Sequence, residues 1–191
     1  ETIKPMYPYA LTKKLGEDLI IHWSKVYKIP FISLRLFNVY GTKSRTSGTY
    51  GAMFGVFLKQ KLSGVPLTVV GDGKQKRDFT YVSDVVNAFY KSIKYNGIYK
   101  IFNIGTGKPV SVNRIVKLLN CQKTRIPKRP GEPMLTYADP RLAKKELGWK
   151  HHIDIKEGIN TILKEIDYWK KAPLWSPKKI KIATKDWFKY L

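Results

Sequence analysis

The sequence is short of cysteine and of acids: Cys121 is its one cysteine, and 14 Asp and Glu stand against 36 Lys and Arg in 191 residues. A single cysteine excludes an internal disulfide framework and fits a reducing compartment. The shortage of acids leaves a formal net charge of +22, which points to anionic partners: nucleic acid, a membrane surface or a phosphorylated small molecule. Much of the excess is scattered lysine, whose simplest use is a solvated surface. Denser clusters lie at Lys123 to Arg129 and Lys170 to Lys189. No run approaches the roughly 18 apolar residues of a membrane span. The start carries no signal-peptide pattern, so the expectation is a soluble, cytoplasmic protein without a membrane partner. His22, His151 and His152 have no cysteine or carboxylate at ligand spacing, so no metal site is expected. Internal repeats and low-complexity blocks are absent. The first residue is Glu1, not methionine, which suggests a piece of a longer polypeptide.

What is present is enough apolar residue, 43 %, for one good core or two small ones. Leu11, Leu15, Leu19, Trp23 and Val26 recur at helical spacing and predict an amphipathic helix from about Pro8 to Tyr27, ended by Ile29-Pro30. Phe31 to Leu36 reads as a buried parallel strand that runs into a functional loop, Asn38 to Thr49. Helix followed by buried strand is the pattern of an α/β protein. A second helix is expected from about Tyr50 to Leu62, stopped by Gly64-Val65-Pro66, then a strand at Leu67 to Val70 and a turn at Gly71-Asp72-Gly73. Ser83 or Asp84 is expected to cap a helix reaching about Lys94. Further along come a strand at Lys100 to Ile104, a helix at Ser111 to Leu119 and a loop from Pro127 to Pro140. Helices follow at Arg141 to Leu147 and Ile155 to Trp169. The last twenty residues, with Pro173 and Pro177, read as an extended tail closing in a helical turn.

The chemistry begins at Tyr7-Pro8-Tyr9-Ala10-Leu11-Thr12-Lys13, with Glu17 one turn further on. Residues at i and i+4 share a helix face, so Tyr9 and Lys13 can address one ligand. A phenol is a poor base at neutral pH, and a nearby ammonium favours its phenolate, which suits a proton shuttle for an alcohol. By itself the pair is a common surface pattern. With its flanks it resembles the active-site helix of extended short-chain dehydrogenases, in particular the nucleotide-sugar epimerase/dehydratase family. The resemblance continues in order along nearly the whole chain. Leu34-Arg35-Leu36-Phe37-Asn38-Val39-Tyr40-Gly41 is followed by Gly71-Asp72-Gly73, Gln75, Arg77-Asp78-Phe79, Tyr81-Val82 and Asp84-Val85. Phe102-Asn103-Ile104-Gly105-Thr106-Gly107 with Ser111-Val112 comes next, and Arg129-Pro130-Gly131-Glu132, Ala138-Asp139 and Leu147-Gly148-Trp149 complete the series. Thr42 stands where the family often has proline, and Glu132 where it often has aspartate.

The resemblance implies a role for each matching residue. Tyr9 would be the catalytic base at the sugar C4 hydroxyl, and Lys13 would hold the nicotinamide ribose of NAD and favour the phenolate. Tyr9, Lys13 and Phe37 would together face the nicotinamide end of the cofactor. Asn38 would donate to the sugar-nucleotide phosphates, Arg77 and Arg129 would grip the diphosphate and nearby ribose, and Glu132 would accept from the nucleotide ribose. Thr68, Val69 and Val70 would line the base with backbone groups. Residue chemistry alone leaves other uses open: Asn38 in a strand-end turn, Arg77 paired locally with Asp78, Arg129 in a solvated basic loop.

The implied fold is α/β: the C-terminal part of a Rossmann-type parallel sheet plus a small α/β substrate-binding domain, with the N-terminal half of the Rossmann domain absent. Residues 1–48 would carry the last helix and strand region of the NAD-binding domain. Residues 49–191 would be mainly the nucleotide-sugar domain, with segments returning to the Rossmann sheet. The family's glycine-rich pyrophosphate turn and its Ser/Thr partner of the tyrosine would precede this sequence, so the isolated chain is expected to lack NAD affinity and turnover. The complete protein would be an NAD-dependent UDP-sugar 4-epimerase and a homodimer, with a 4,6-dehydratase or UDP-glucuronate decarboxylase as alternatives. From another class, a basic nucleic-acid-binding module would use the charge, but no nucleic-acid motif is present, and a catalytically silent interaction domain would fit a natural half-length protein.

Overall fold

The computed structural model describes residues 5, 8–44, 53–97 and 100–190. Tyr7 of the tyrosine motif, the start of the Tyr50 helix and residues 45–49 of the Asn38 to Thr49 loop lie outside the described residues. In chain order the elements are α1 (Pro8–Tyr27), β1 (Ile32–Leu36), β2 (Val39–Tyr40), α2 (Met53–Leu62), β3 (Leu67–Val70), β4 (Lys76–Arg77), β5 (Thr80–Tyr81) and α3 (Val82–Ile93). They continue with β6 (Lys100–Ile104), β7 (Val110–Ser111), α4 (Val112–Leu118), β8 (Lys123–Ile126), β9 (Leu135–Thr136), α5 (Arg141–Leu147) and α6 (Ile155–Lys164). A 3-10 turn (Ile166–Lys171), α7 (Pro177–Ala183) and α8 (Lys185–Tyr190) close the chain. The fold is α/β, as expected, and its strand pairs β1–β6, β2–β5 and β3–β8 are all parallel.

Helix α1 forms where the leucine spacing predicts it, and it ends at Lys28, which takes a left-handed φ of 56° while Ile29 N donates to Ser24 O at 3.0 Å. Its apolar face is uncovered: Leu15, Leu19 and Trp23 are each more than half exposed, and Ser24 is its buried residue. Strand β1, expected to be buried, is only half buried, because β6 is its one hydrogen-bonded neighbour among the described residues. On its covered side Ile32 and Leu34 pack on a cluster of Ala88, Phe102, Ile104, Leu147 and Trp149. Glu17 fastens α1 to β1, accepting from Ser33 Oγ at 2.8 Å and from Arg35 Nε at 3.0 Å, with a second Arg35 contact through Nη2.

The larger core lies between α2, β3, α4 and α6. Phe57, Leu58, Leu67, Val69, Ile115, Leu119, Ile159, Ile162 and Trp169 are all buried there. Strands β7, β4 and β9 make a small sheet at its edge, β4 central, antiparallel to β7 and parallel to β9. Two buried aspartates tie these layers together. Asp78 accepts from Thr106 N (2.8 Å), Thr106 Oγ1 (2.6 Å), Gly107 N (2.8 Å) and Ala138 N (3.1 Å). Gly105 is pressed so close that an added Cβ would meet Asp78 Oδ2 at 2.8 Å. Asp84 accepts from His152 N (3.0 Å) and Ile153 N (3.1 Å), and its carbonyl takes the Trp149 indole N–H at 2.9 Å.

These contacts correct several expectations. Asp84 is no cap: α3 starts at Val82 behind Tyr81, without a side-chain cap, and the Asp84 carboxylate is spent on the 152–153 backbone instead. The helix expected through Trp169 stops at Lys164 and tightens into the 3-10 turn, which drives Trp169 fully into the core. Part of the basic cluster at Lys123 is strand β8, and β9 interrupts the proline-rich loop. The tail expected to be extended up to a closing helical turn is two helices, because Ser176 Oγ accepts from Lys179 N and Pro177 takes the first helical position. Ile180 then packs on Val70 and Ile126.

Asp78→Ala would strand the buried Thr106, Gly107 and Ala138 amides, so it should lower unfolding free energy by about 3 kcal/mol or more, read from the urea midpoint. The hydrogen bond from Arg35 holds the Glu17 carboxyl below its ordinary value. A carboxyl lowered on folding contributes stability above its unfolded pKa and loses it as pH falls through the folded one. Urea midpoints should therefore drop as pH falls below the ordinary glutamate range, and Glu17→Gln should remove that part of the slope.

Candidate functional site

A cavity of about 240 Å³ opens between β3, β4 and the loop before β9, lined by Asn38, Thr68, Val70, Arg77, Arg129 and Glu132 over apolar walls that include Met53, Phe57 and Phe79. A second concavity of about 300 Å³, which Asp72, Lys128 and Met134 help to line, shares Val70, Gln75 and Glu132 with the first. Each wall residue is placed by its element. The end of β1 is fixed by Phe37 N donating to Ile104 O at 3.1 Å and by Asn38 O accepting from Thr80 N at 3.2 Å, which leaves the Asn38 side chain on the cavity. Alternation along the chain sends Asp78 into the protein and Arg77 to the cavity. Arg77 Nη2 donates to Glu132 Oε1 at 3.0 Å, and this pair is largely shielded, with side-chain exposures of 13 % and 22 %. Glu132 Oε2 is buried and has no hydrogen-bond partner among the described residues.

Gly131 makes that pairing possible. Its φ of +70° turns the chain sharply after Arg129 and Pro130, and Glu132 N donates back to Arg129 O at 3.4 Å. The sharp turn lets Arg129 and Glu132, three residues apart, line the same cavity. The local alternative for Arg77, a pair with Asp78, is not formed: Asp78 is saturated by backbone donors and the arginine finds Glu132. The remaining expected residues divide. Val69 is fully buried in the core and does not reach the cavity wall. Thr68 and Val70 do, although Thr68 N is taken by Gln60 Oε1 at 3.0 Å and Val70 O by Gln75 Nε2 at 3.0 Å.

Tyr9 and Lys13 are brought together on α1, with Lys13 Nζ 5.4 Å from the Tyr9 ring centroid, and Tyr9 is 73 % exposed. Neither lines the cavity. The Glu17 clamp joins the helix that carries them to the strand that delivers Phe37 and Asn38. Two residues gain a place that residue types alone did not assign. Gln75 lines both concavities, a position that its spacing from Arg77 on a short strand would have suggested, and Trp187 stacks on Arg129, its ring centroid 5.6 Å from Cζ. Among the described residues no group of three or more His, Cys, Asp or Glu is placed to hold a metal ion.

Comparison with known proteins points one way. A UDP-glucuronate 4-epimerase of Thermodesulfobacterium geofontis is 35 % identical over 185 residues, covering 93 % of this chain and 54 % of the relative. The crystal structure of a UDP-glucuronic acid 4-epimerase from Bacillus cereus, in complex with UDP-glucuronic acid and NAD, superposes with a TM-score of 0.79 at 32 % identity, covering 89 % of this chain and 55 % of that one. A UDP-glucose 4-epimerase from Thermotoga maritima, with UDP-glucose, matches with a TM-score of 0.79 at 30 % identity, covering 88 % and 55 %. The chain spans about half the length of the curated relatives it matches. The family described as "NAD dependent epimerase/dehydratase family" matches residues 1–105, and with that match over more than half of its length the chain belongs to the NAD dependent epimerase/dehydratase family.

Proposed function

We propose that the complete protein is an NAD-dependent UDP-sugar 4-epimerase, and that this chain supplies its Tyr9/Lys13 pair and its nucleotide-sugar site. The observation that carries the reading is the cavity wall, where Arg77, Arg129 and Asn38 meet a Glu132 whose second oxygen is buried without a partner. Guanidinium forks match a diphosphate in charge and geometry. An amide donates to a phosphate oxygen, and the orphan carboxylate oxygen offers an acceptor to a ribose hydroxyl. The Bacillus cereus and Thermotoga maritima enzymes hold UDP-sugars, in keeping with that ligand class.

The residues present fit one end of NAD. Tyr9 and Lys13 share one face of α1, and Phe37 is fixed on the β1 end that the Glu17 clamp ties to the same helix. No Gly-x-Gly-x-x-Gly turn for the pyrophosphate occurs in the 191 residues. NAD, when bound, would supply the hydride acceptor at sugar C4 and, once the keto-sugar has turned over, the donor to its opposite face. The Tyr9 oxygen accepts the C4 hydroxyl proton and later returns it, and the Lys13 charge stabilises the tyrosine while it is anionic. Epimerisation asks only this proton exchange of the chain, whereas dehydration and decarboxylation need further acid/base groups.

In the same reading, residues 1–48 belong to the NAD-binding domain and 49–191 mainly to the nucleotide-sugar domain. The return of β6 to pair with β1 supports a shared sheet. The complete protein is a cytoplasmic homodimer in this proposal, with the exposed Leu15, Leu19 and Trp23 face of α1 as the surface that association covers.

Calorimetric titration of the chain with UDP tests the site. One saturable site is expected, with Arg77→Ala and Arg129→Ala each raising Kd about 10- to 100-fold. Tyr9→Phe should leave UDP affinity unchanged and, in the complete protein, lower kcat by about a hundredfold or more. Absence of saturable binding, or indifference to both arginines, would remove the reading.

A further inference from the structure

Arg129 stands between two surfaces. On one side it lines the cavity with Arg77 and Glu132, and on the other it lines a small crevice against α7 and α8, where Ile180, Lys181, Thr184 and Phe188 meet Ile126 and Pro127. From α8, Trp187 makes two contacts with the turn that carries Arg129. Its indole Nε1 donates to Pro130 O at 3.3 Å, and its ring stacks on the guanidinium, 5.6 Å from centroid to Cζ. The tail that presents Trp187 is anchored twice, by the burial of Ile180 against Val70 and Ile126 and by Gln60 Nε2 donating to Trp175 O at 2.7 Å. Gln60 also holds Thr68 in the cavity wall, so tail and wall share a buried hydrogen-bonding residue.

We infer that the C-terminal helices form a strap in which Trp187 is a positioning residue, holding Arg129 and the Pro130-Gly131 turn in the geometry that binds the diphosphate of a nucleoside diphosphate. The inference rests on the nucleotide-sugar reading of the cavity for its ligand, and on the packing of the tail for its mechanism. An arginine side chain on a loop loses much rotamer freedom when it binds a phosphate. A ring stacked on the guanidinium and a hydrogen bond to the next carbonyl remove part of that freedom beforehand, which strengthens binding without touching the ligand. Gly131 has no Cβ to restrict its backbone, so contacts from α8 add to the restraint that Glu132 N, donating to Arg129 O, supplies within the turn.

The test compares Trp187→Ala, Trp187→Phe, Arg129→Ala and the Trp187→Ala, Arg129→Ala double variant, by UDP titration and by amide exchange without ligand. Trp187→Ala should weaken UDP about fivefold and speed exchange at Gly131 and Glu132, while exchange in α7 around Ile180 stays as in the parent chain. Trp187→Phe keeps the ring and should stay within about twofold of the parent in affinity. With Arg129 already removed, Trp187→Ala should add no further loss, the coupling that a general destabilisation would not produce. Unchanged affinity and exchange in Trp187→Ala would overturn the strap, as would an equal loss with and without Arg129. If the parent chain fails to bind UDP, the nucleotide reading fails by itself. The exchange comparison then decides the strap: faster exchange at the turn in Trp187→Ala, with α7 around Ile180 unchanged, supports it, and no difference overturns it.

Discussion

The carboxylate of Asp78 is the constraint on which the rest of the site depends. It gathers backbone donors from the Thr106 and Gly107 turn and from Ala138, segments far apart in the chain. A buried carboxylate is tolerated only when such donors replace its water. Because the donors are backbone groups, satisfying the charge fixes the path of three chain segments at once. The strand residue beside it, Arg77, is thereby aimed the other way, into the cavity, where it meets Glu132. Asp84 works by the same rule in the first turn of α3, its carboxylate binding the 152–153 backbone and its carbonyl the Trp149 indole, which ties the segment before α6 to α3.

A second consequence concerns charge. The chain is strongly basic, yet the cavity is not simply a positive patch, since Arg77 is paired and Glu132 keeps one oxygen without a hydrogen-bond partner among the described residues. A site of that kind discriminates: it rewards a ligand carrying both an anionic group for the guanidinium groups and a hydroxyl for the carboxylate. A polyanion without the hydroxyl would use only part of it. Of the tail aromatics that beside so many lysines invite a nucleic-acid reading, the three tryptophans make internal contacts: Trp169 is fully buried, Trp175 packs on the core and Trp187 stacks on Arg129, while Tyr168 and Tyr190 are exposed.

Much of the fold was legible from periodicity. Helix α1 and strands β3 and β6 stand where spacing and apolar runs put them, because each is long enough to show its period. The two-residue strands β4, β7 and β9 show none, and their pairing is set by non-local contacts. Strand β8 was hidden by its Lys and Arg, which alternate with inward residues on a sheet edge and read as a basic cluster. The Ser176-Pro177 cap signal was present in the tail but was outweighed by its prolines. Among the site residues, Asn38, Thr68, Val70, Arg77, Arg129 and Glu132 line one cavity. Asp78 could not be assigned its role from sequence, because an acid beside an arginine suggests a local ion pair and only the fold shows two other segments arriving first. Strand β1 reads as buried from its apolar run but is only half buried, because β6 is its one hydrogen-bonded neighbour among the described residues.

The most direct measurement is a crystal structure of the chain with UDP. The diphosphate is predicted to lie between the guanidinium groups of Arg77 and Arg129, with a ribose hydroxyl within hydrogen-bonding distance of Glu132 Oε2. UDP bound elsewhere, or with its diphosphate on surface lysines and the cavity left open, would contradict the account.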